Sequence, residues 1–309
     1  LPFFAAVPLL SAGLLVLAGE RPRLHRAVLF AVLGLVTTGG LALGVHALDG
    51  SVLATSLGGW PGGIGIGFAA DMLSALMLLL TAFLALAVLV HAAATGWDKR
   101  GRHFHALFQF QLMGLNGAFL TGDLFNLFVF FEVMLAASYG LALHGSGIAR
   151  VRAGLHYVAI NLVASLLFLI GVSMIYGLAG TLNMADLAGR IAGLRAEDRA
   201  LVEVGAAILG IAFLIKAGMW PLGFWLPTTY AAAGTASAAI ISILSKVGLY
   251  AILRLWLLMF GESAGDSTGF GGTWLMIGGL LTIAFGSLAV LATQNMARLA
   301  GASVLVSSG

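Results

Sequence analysis

Long apolar runs alternate with short polar breaks along this chain. A helix that crosses a hydrocarbon core of about 30 Å needs roughly 20 apolar residues. The pattern predicts ten spans, at 2–19, 27–47, 69–93, 104–121, 124–143, 154–178, 201–226, 231–258, 273–292 and a last one opening at 299 and running to 309. The runs lack the period-two alternation of a membrane barrel strand. The run 104–121 is the least apolar, with Gln109, Gln111 and Asn116 inside it, and is predicted to be buried among other helices. Between the second and third runs, "DGSVLATSLGGWPGGIGIGF" predicts an extended hairpin. Between the sixth and seventh, "MADLAGRIAGL" predicts a short amphipathic helix at the membrane interface. The closing "MARLAGASVLVSSG" reads as the opening of a helix, and the first residue is Leu1, so the sequence is expected to be a piece of a longer protein.

Composition turns this pattern into a class. Of 309 residues, 61% are hydrophobic and 9% charged, and the mean hydropathy is +1.06. A water-soluble domain carries about 25% charged residues, so the chain is read as an all-α polytopic membrane protein. It has no cysteine, which excludes a disulfide framework and thiolate metal sites. No phosphate-binding loop, haem or metal-ligand spacing, or catalytic triad is present. The net charge of +3 comes from short loops and does not point to nucleic acid.

Loop charge predicts orientation. Arg21, Arg23 and Arg26 fall in the first loop, Lys99, Arg100 and Arg102 in the third, Arg150 and Arg152 in the fifth, and Arg298 in the ninth. The second, fourth and eighth loops hold only acids: Asp49, Asp123, Glu262 and Asp266. In the sixth, Arg190, Arg195 and Arg199 are offset by Asp186, Glu197 and Asp198, and "PTTYAAAG" in the seventh is uncharged. By the positive-inside rule, odd loops are cytoplasmic and the N-terminus is outside.

Once the loops are set aside, Glu132, Lys216, Lys246 and Arg254 stand inside spans, with Asp71 and Glu203 near span ends. A charge at mid-bilayer costs roughly 2.5–3.5 kcal/mol on insertion scales. Glu132, Lys216 and Lys246 lie near the middle of three different spans and could form a lateral row. One acid and one base would be enough to pin helices together. A second lysine adds cost without a partner, and desolvated lysines can titrate near neutral pH, which is relay chemistry. Arg254 lies about one turn from its span end and can snorkel, so it is assigned a structural role. After Lys216 come Gly218, Pro221, Gly223 and Pro227. Pro221 lacks an N–H and clashes with the carbonyl of Ala217, which predicts a broken helix at membrane depth, tolerated where protein or a wet cavity surrounds it.

Four blocks carry a family resemblance: "TGDLFNLFVFFEVMLAASYGL" (121–141), "YGLAGTLNMADLA" (176–188), "KAGMWPLGFWLPTTY" (216–230) and "SKVGLYAILR" (245–254). They resemble the D subunit of multisubunit Mrp-type (Mnh, Pha) monovalent cation/proton antiporters, which are related to the antiporter-like membrane subunits of respiratory complex I. The resemblance covers nearly the whole chain. It implies a complex I/Mrp antiporter-like helix bundle with inverted five-helix repeats, of which the first repeat and the start of the second are present. It implies a proton-translocating role in which Glu132 and Lys216 form a switchable ion pair and Lys246 passes protons onward. The implied partners are other antiporter subunits in a hetero-oligomeric complex in the bacterial plasma membrane, H⁺, and Na⁺ or K⁺, with no cofactor and no enzyme activity. Two departures stand out. The chain ends before a twelfth helix, and "AAAGTAS" (231–237) has neither the proline nor the histidine of many relatives. A proton-pumping subunit of a redox complex (NADH dehydrogenase-like or a membrane hydrogenase) and a scaffold whose charges only pair remain alternatives.

Other polar residues keep two readings each. His156, Asn161 and Ser165 on the sixth run, with Ser242 and Ser245 beside Lys246, either hold water along a proton path or bond neighbouring helices. Asp123 either attracts cations at the outer surface or caps the fifth helix. His103 and His105, near His91, are either a proton intake or solvated loop histidines.

Overall fold

A computed structural model of the chain describes residues 1–60 and 65–309. Among the described residues it is a bundle of thirteen α-helices with one small hairpin. α1 is Phe3–Leu17, α2 Pro22–His46, α3 Met72–Thr95, α4 Phe104–Leu120 and α5 Leu124–Ala142. α6 is Ile148–Ala179, α7 Met184–Ala192, α8 Ala196–Ala217 and α9 Trp225–Ala232. α10 is Thr235–Ile241, α11 Leu244–Met259, α12 Gly272–Ala292 and α13 Met296–Val306. Among the described residues, seven helical segments are long and apolar enough to cross a membrane. By the same measure α1, α4 and α13 are short, at 15, 17 and 11 residues. Large apolar side chains on the outer faces are exposed, Leu291 by 83%, as a lipid-facing surface requires. This is a multi-pass membrane protein.

α4 lies inside the bundle, against α1 and α5, and is buried along almost its whole length. Its small residues admit α5: a Cβ on Gly114 would lie 2.8 Å from the Met134 nitrogen. The hairpin pairs β1 (Leu53–Ser56) with β2 (Gly67–Ala70), antiparallel, Leu53 opposite Ala70. The centre of the predicted hairpin, 61–64, lies outside the described residues. The Gly67 carbonyl accepts from Gly122 N–H at 2.9 Å, and the Gly122 carbonyl accepts from Met184 N–H at 2.8 Å. The hairpin, the start of α5 and α7 are thereby tied together at one end of the bundle. α7 is the amphipathic helix expected from "MADLAGRIAGL": Met184, Leu187 and Ile191 are buried, and the Asn183 side chain accepts from the Ala185 and Asp186 N–H groups.

Several predicted boundaries move. Arg23 and Arg26 lie on the first turns of α2, which opens with Pro22 at its first position, where a missing N–H costs nothing. Arg150 and Arg152 lie on α6, and Arg298 on α13. α6 has 32 residues, about 48 Å, so its arginine turn extends beyond an apolar core. The run 231–258 holds one candidate span, Thr235–Met259, with a step inside it where α10 meets α11 and Lys246 N–H bonds Ile243 O at 2.9 Å. Ser242 Oγ donates to Ala239 O and Ser245 Oγ to Ser242 O, and such hydroxyls compete with the helix ladder. The stretch "PTTYAA", expected in a loop, is helical in α9.

Candidate functional site

Lys216 sits in the last turn of α8 and is 3% exposed. α8 packs on α6 where glycines meet: a Cβ on Gly171 would lie 2.8 Å from the Gly205 carbonyl oxygen. This close approach brings Ser165 of α6 between Lys216 and Glu132 of α5. Ser165 Oγ donates to Glu132 Oε1 at 2.5 Å, and Lys216 Nζ donates to Ser165 Oγ at 3.5 Å. One hydroxyl has one proton and two lone pairs, so it can serve both charges at once. Among the described residues Lys216 makes no direct ion pair.

The rest of the ammonium's surroundings is aromatic. Nζ lies 5.1 Å from the centre of the Phe131 ring, and Phe131, Phe168 and Phe213 pack on one another with centroids 5.1–6.0 Å apart. Removing an ammonium from water costs several kcal/mol. A ring face returns about 0.5–2 kcal/mol, the serine bond and the nearby carboxylate supply more, and none of these immobilises the lysine as a bidentate partner would. Tyr157, Asn161, Trp225 and Leu244 line a crevice beside Lys216.

The chain leaves the helix immediately after Lys216. Gly218 adopts φ 76°, a left-handed cap that suits glycine. The turn folds back so tightly that a Cβ on Gly223 would collide with the Gly218 carbonyl. The freed backbone groups find partners, as groups at membrane depth must. Trp220 N–H donates to Thr282 Oγ1 of α12 at 2.9 Å, and Trp225 Nε1–H to Ile215 O at 3.2 Å. Trp220–Pro221 is a cis peptide. Pro227 lies in the first turn of α9, where Gly301 of α13 packs on it closely enough that a Cβ would be 3.0 Å from Pro227 Cα.

Lys246 is on α11, a helix in close contact with α8: a Cβ on Gly248 would lie 2.8 Å from Ala217 N and 2.9 Å from Phe213 O. Its Nζ does not reach toward Glu132. It donates to Ser307 Oγ at 2.6 Å, Ser308 Oγ at 3.2 Å and Val304 O at 3.4 Å. The two serine hydroxyls in turn donate to Val304 O. Ser307 and Ser308 are not among the residues that the sequence singles out. Their signal is a serine pair after an apolar stretch, and nothing in the sequence pairs it with a lysine 61 positions earlier.

The other predicted residues divide. Asn161 is buried and donates to Tyr157 O at 2.9 Å. His156 is exposed and bonds Arg152 O, so it does not join Asn161 and Ser165 on one path. The offset of five residues turns it about 140° around the helix. Ser242 and Ser245 bond backbone carbonyls at the α10–α11 step rather than Lys246. Asp123 caps α5 by accepting from Asn126 N–H at 2.7 Å; burial holds its carboxyl above the ordinary carboxylate range, against the pull of the Asn126 and Phe125 N–H groups. His103 precedes α4 at the surface, whereas His105 is buried and is not a solvated loop histidine. Arg254 does not snorkel: it forms a bidentate pair with Asp71 at 2.7 and 3.0 Å and also reaches Ser74 Oγ at 2.7 Å.

Comparison with known proteins agrees with this architecture. Residues 121–306 match the family model described as NADH:quinone oxidoreductase/Mrp antiporter, TM. The chain is 59% identical to the D subunit of a probable K(+)/H(+) antiporter of Rhizobium meliloti (strain 1021), covering 98% of this chain and 57% of that protein. It is 38% identical to the D subunit of a Na(+)/H(+) antiporter of Alkalihalophilus pseudofirmus, covering 95% of this chain and 59% of that one. The chain thus spans less than two thirds of these relatives. Among solved structures, a chain of the Mrp complex from Dietzia sp. DQ12-45-1b superposes with TM-score 0.91 at 36% identity, covering 99% of this chain and 56% of that one. A chain of respiratory complex I from Thermus thermophilus gives TM-score 0.79 at 25% identity, covering 99% and 62%.

Proposed function

Because the chain belongs to the NADH:quinone oxidoreductase/Mrp antiporter transmembrane family, we propose that it is the proton-translocating part of a D subunit in a hetero-oligomeric Na⁺/H⁺ or K⁺/H⁺ antiporter of the bacterial plasma membrane. Its partners are the other subunits of that complex, and its arginine-rich end faces the cytoplasm. The observation that carries this reading is the Glu132–Ser165–Lys216 arrangement: an acid and a base at mid-bundle, joined by one hydroxyl and not locked together.

Lys216 gains by approaching Glu132 when protonated and loses that gain when neutral. Its position thus follows its charge. A proton released from Lys216 has a next acceptor in Lys246, on the helix packed against α8. There Ser307, Ser308 and Val304 offer two hydroxyls and a carbonyl to the charged form. The broken helix lets the turn after Gly218 adjust while its N–H groups stay bonded. Higher identity to antiporter subunits than to the complex I chain, 59% and 38% against 25%, favours an ion-driven parent over a redox-driven one.

The test is Glu132→Ala and Lys216→Ala in the assembled complex, with antiport measured in everted vesicles. Both are expected to abolish exchange while the complex still assembles. Near-normal exchange in either variant rejects the relay.

A further inference from the structure

At the arginine-rich end, the turn between α1 and α2 and the turn between α3 and α4 enclose a recess. A cavity of about 260 Å³ is lined there by Glu20, Arg21, Asp98, Lys99, Arg100 and Arg102. One water takes up about 30 Å³ of liquid, so a group the size of a phosphate ester fits. His25 and His105 form the inner wall. His105 Nε2 lies 3.2 Å from Asp98 Oδ2, and its ring meets His25 edge-on at 5.2 Å between centroids.

The charges around the recess do not cancel. Asp98 is 2% exposed and accepts from Arg26 Nε and Nη2 at 2.7 and 2.9 Å, so its charge is neutralised from inside the protein. Glu20 pairs with Arg102 at 2.7 Å on the rim. Arg21, Lys99 and Arg100 are exposed, and among the described residues they form no ion pair. The Arg100 guanidinium lies 5.0 Å from the centre of the Trp97 ring, a stacking that orients the side chain and leaves its N–H edges free. α2 and α4 both begin at this end with no acidic residue in the first turn and no side-chain cap. The positive ends of two helix dipoles thus add to the same field.

An apolar groove adjoins the basic recess. A second cavity, of about 370 Å³, shares Glu20, His25 and Arg102 with the first and is lined beyond them by Leu15 and Val16 of α1 and Ala106 of α4. Val16 is 54% exposed. An anion site at the membrane surface that opens onto apolar side chains suits a molecule with a charged head and a hydrocarbon tail better than a free ion. We propose that the recess binds the phosphate headgroup of an anionic phospholipid such as phosphatidylglycerol, with an acyl chain along Leu15 and Val16. Arg21, Lys99 and Arg100 hold the phosphodiester, and Arg102 stays with Glu20. Basic pockets between helices on the cytoplasmic side bind such headgroups. Topology alone calls for cations at this end, but it does not call for three of them around one recess. The bound lipid bridges the two turns.

The site is independent of the relay, and its test needs no ion exchange. This chain has no cysteine, so Val16→Cys gives it one attachment point for a fluorophore. The assembled complex, free of other cysteines, is placed in vesicles of equal parts phosphatidylglycerol and phosphatidylcholine, with quenching bromine on the tails of one lipid or the other. Stronger quenching by brominated phosphatidylglycerol is expected. Arg21→Gln, Lys99→Gln and Arg100→Gln are each expected to lower that preference about fivefold, the factor equal to about 1 kcal/mol per cation. Glu20→Gln frees Arg102 and is expected to raise it by a similar factor. Arg23, an exposed cation on the same turn of α2, does not line the recess, and Arg23→Gln is expected to leave the preference unchanged. Equal quenching by the two lipids overturns the proposal. So does a loss in Arg23→Gln as large as in the other three, which assigns the preference to general surface charge. Displacement by millimolar inorganic phosphate overturns it in favour of a free-anion site. Absence of quenching by either lipid overturns it in favour of a partner subunit covering the recess.

Discussion

Asp71–Arg254 and Glu132–Ser165–Lys216 each set an acid and a base on different helices of the same bundle, and they are built in opposite ways. Arg254 of α11 meets the Asp71 carboxylate with two parallel bonds and adds Ser74 and the Tyr250 hydroxyl. Tyr250 in turn donates to Phe119 O of α4 at 2.6 Å. A guanidinium is always charged and its planar fork matches a carboxylate, so this pair has one geometry and one charge state. Lys216 has a single rotatable ammonium, a 3.5 Å bond to a serine and a ring face. That arrangement has several geometries, and its base can lose its proton. The first is a clamp between α3, α4 and α11. The second is suited to movement.

The sharpest way to break this contrast is to give the mobile site the clamp's chemistry. Lys216→Arg keeps the charge but removes the titration, and exchange is expected to fall by at least about 100-fold, the low end of what a proton-transferring group contributes. The complex should still assemble. An exchange rate within a few-fold of the parent would mean that Lys216 serves only as a fixed cation.

A smaller effect is expected at the clamp. Asp71→Asn leaves Arg254 partly unpaired and should lower stability by about 1.5–3 kcal/mol, the range for hydrogen bonds to charged groups, read as earlier thermal dissociation. The parent protein sets the pH window. Burial pushes the Asp71 carboxyl up, and the Arg254 and Ser74 bonds outweigh it, so the group titrates below the ordinary range. The clamp's contribution is complete above the unfolded carboxylate value and is lost only as pH falls through the lowered folded value. If Asp71→Asn removed exchange without lowering stability, the clamp would belong to the ion path.

The smallest effect concerns the hydroxyl between the two charges. Ser165→Ala is expected to cost about 1 kcal/mol, roughly fivefold in exchange rate, with Ser165→Thr closer to the parent. No change in Ser165→Ala would leave Glu132 and Lys216 coupled by charge alone.

What the sequence alone determined follows from local chemistry. Twenty-residue apolar runs announce helices because the bilayer core demands that length, and a charge inside such a run is visible wherever it falls. Gly218, Pro221 and Gly223 announce a break because their backbone limits travel with them, and "MADLAGRIAGL" shows its helix through its own period. Arg23, Arg26, Arg150 and Arg152 were visible as basic, but their place on helical turns was not, since hydropathy marks where the apolar core stops and not where the hydrogen-bond ladder does. Partners belong to tertiary structure. Arg254 finds Asp71 across 183 positions, Lys216 finds Ser165 across 51, and Lys246 finds Ser307 across 61. His105 meets Asp98 and His25 only once α2, α3 and α4 have packed. Each pairing depends on how glycine-lined helix faces rotate and approach one another, and that is decided by the packing of the whole bundle.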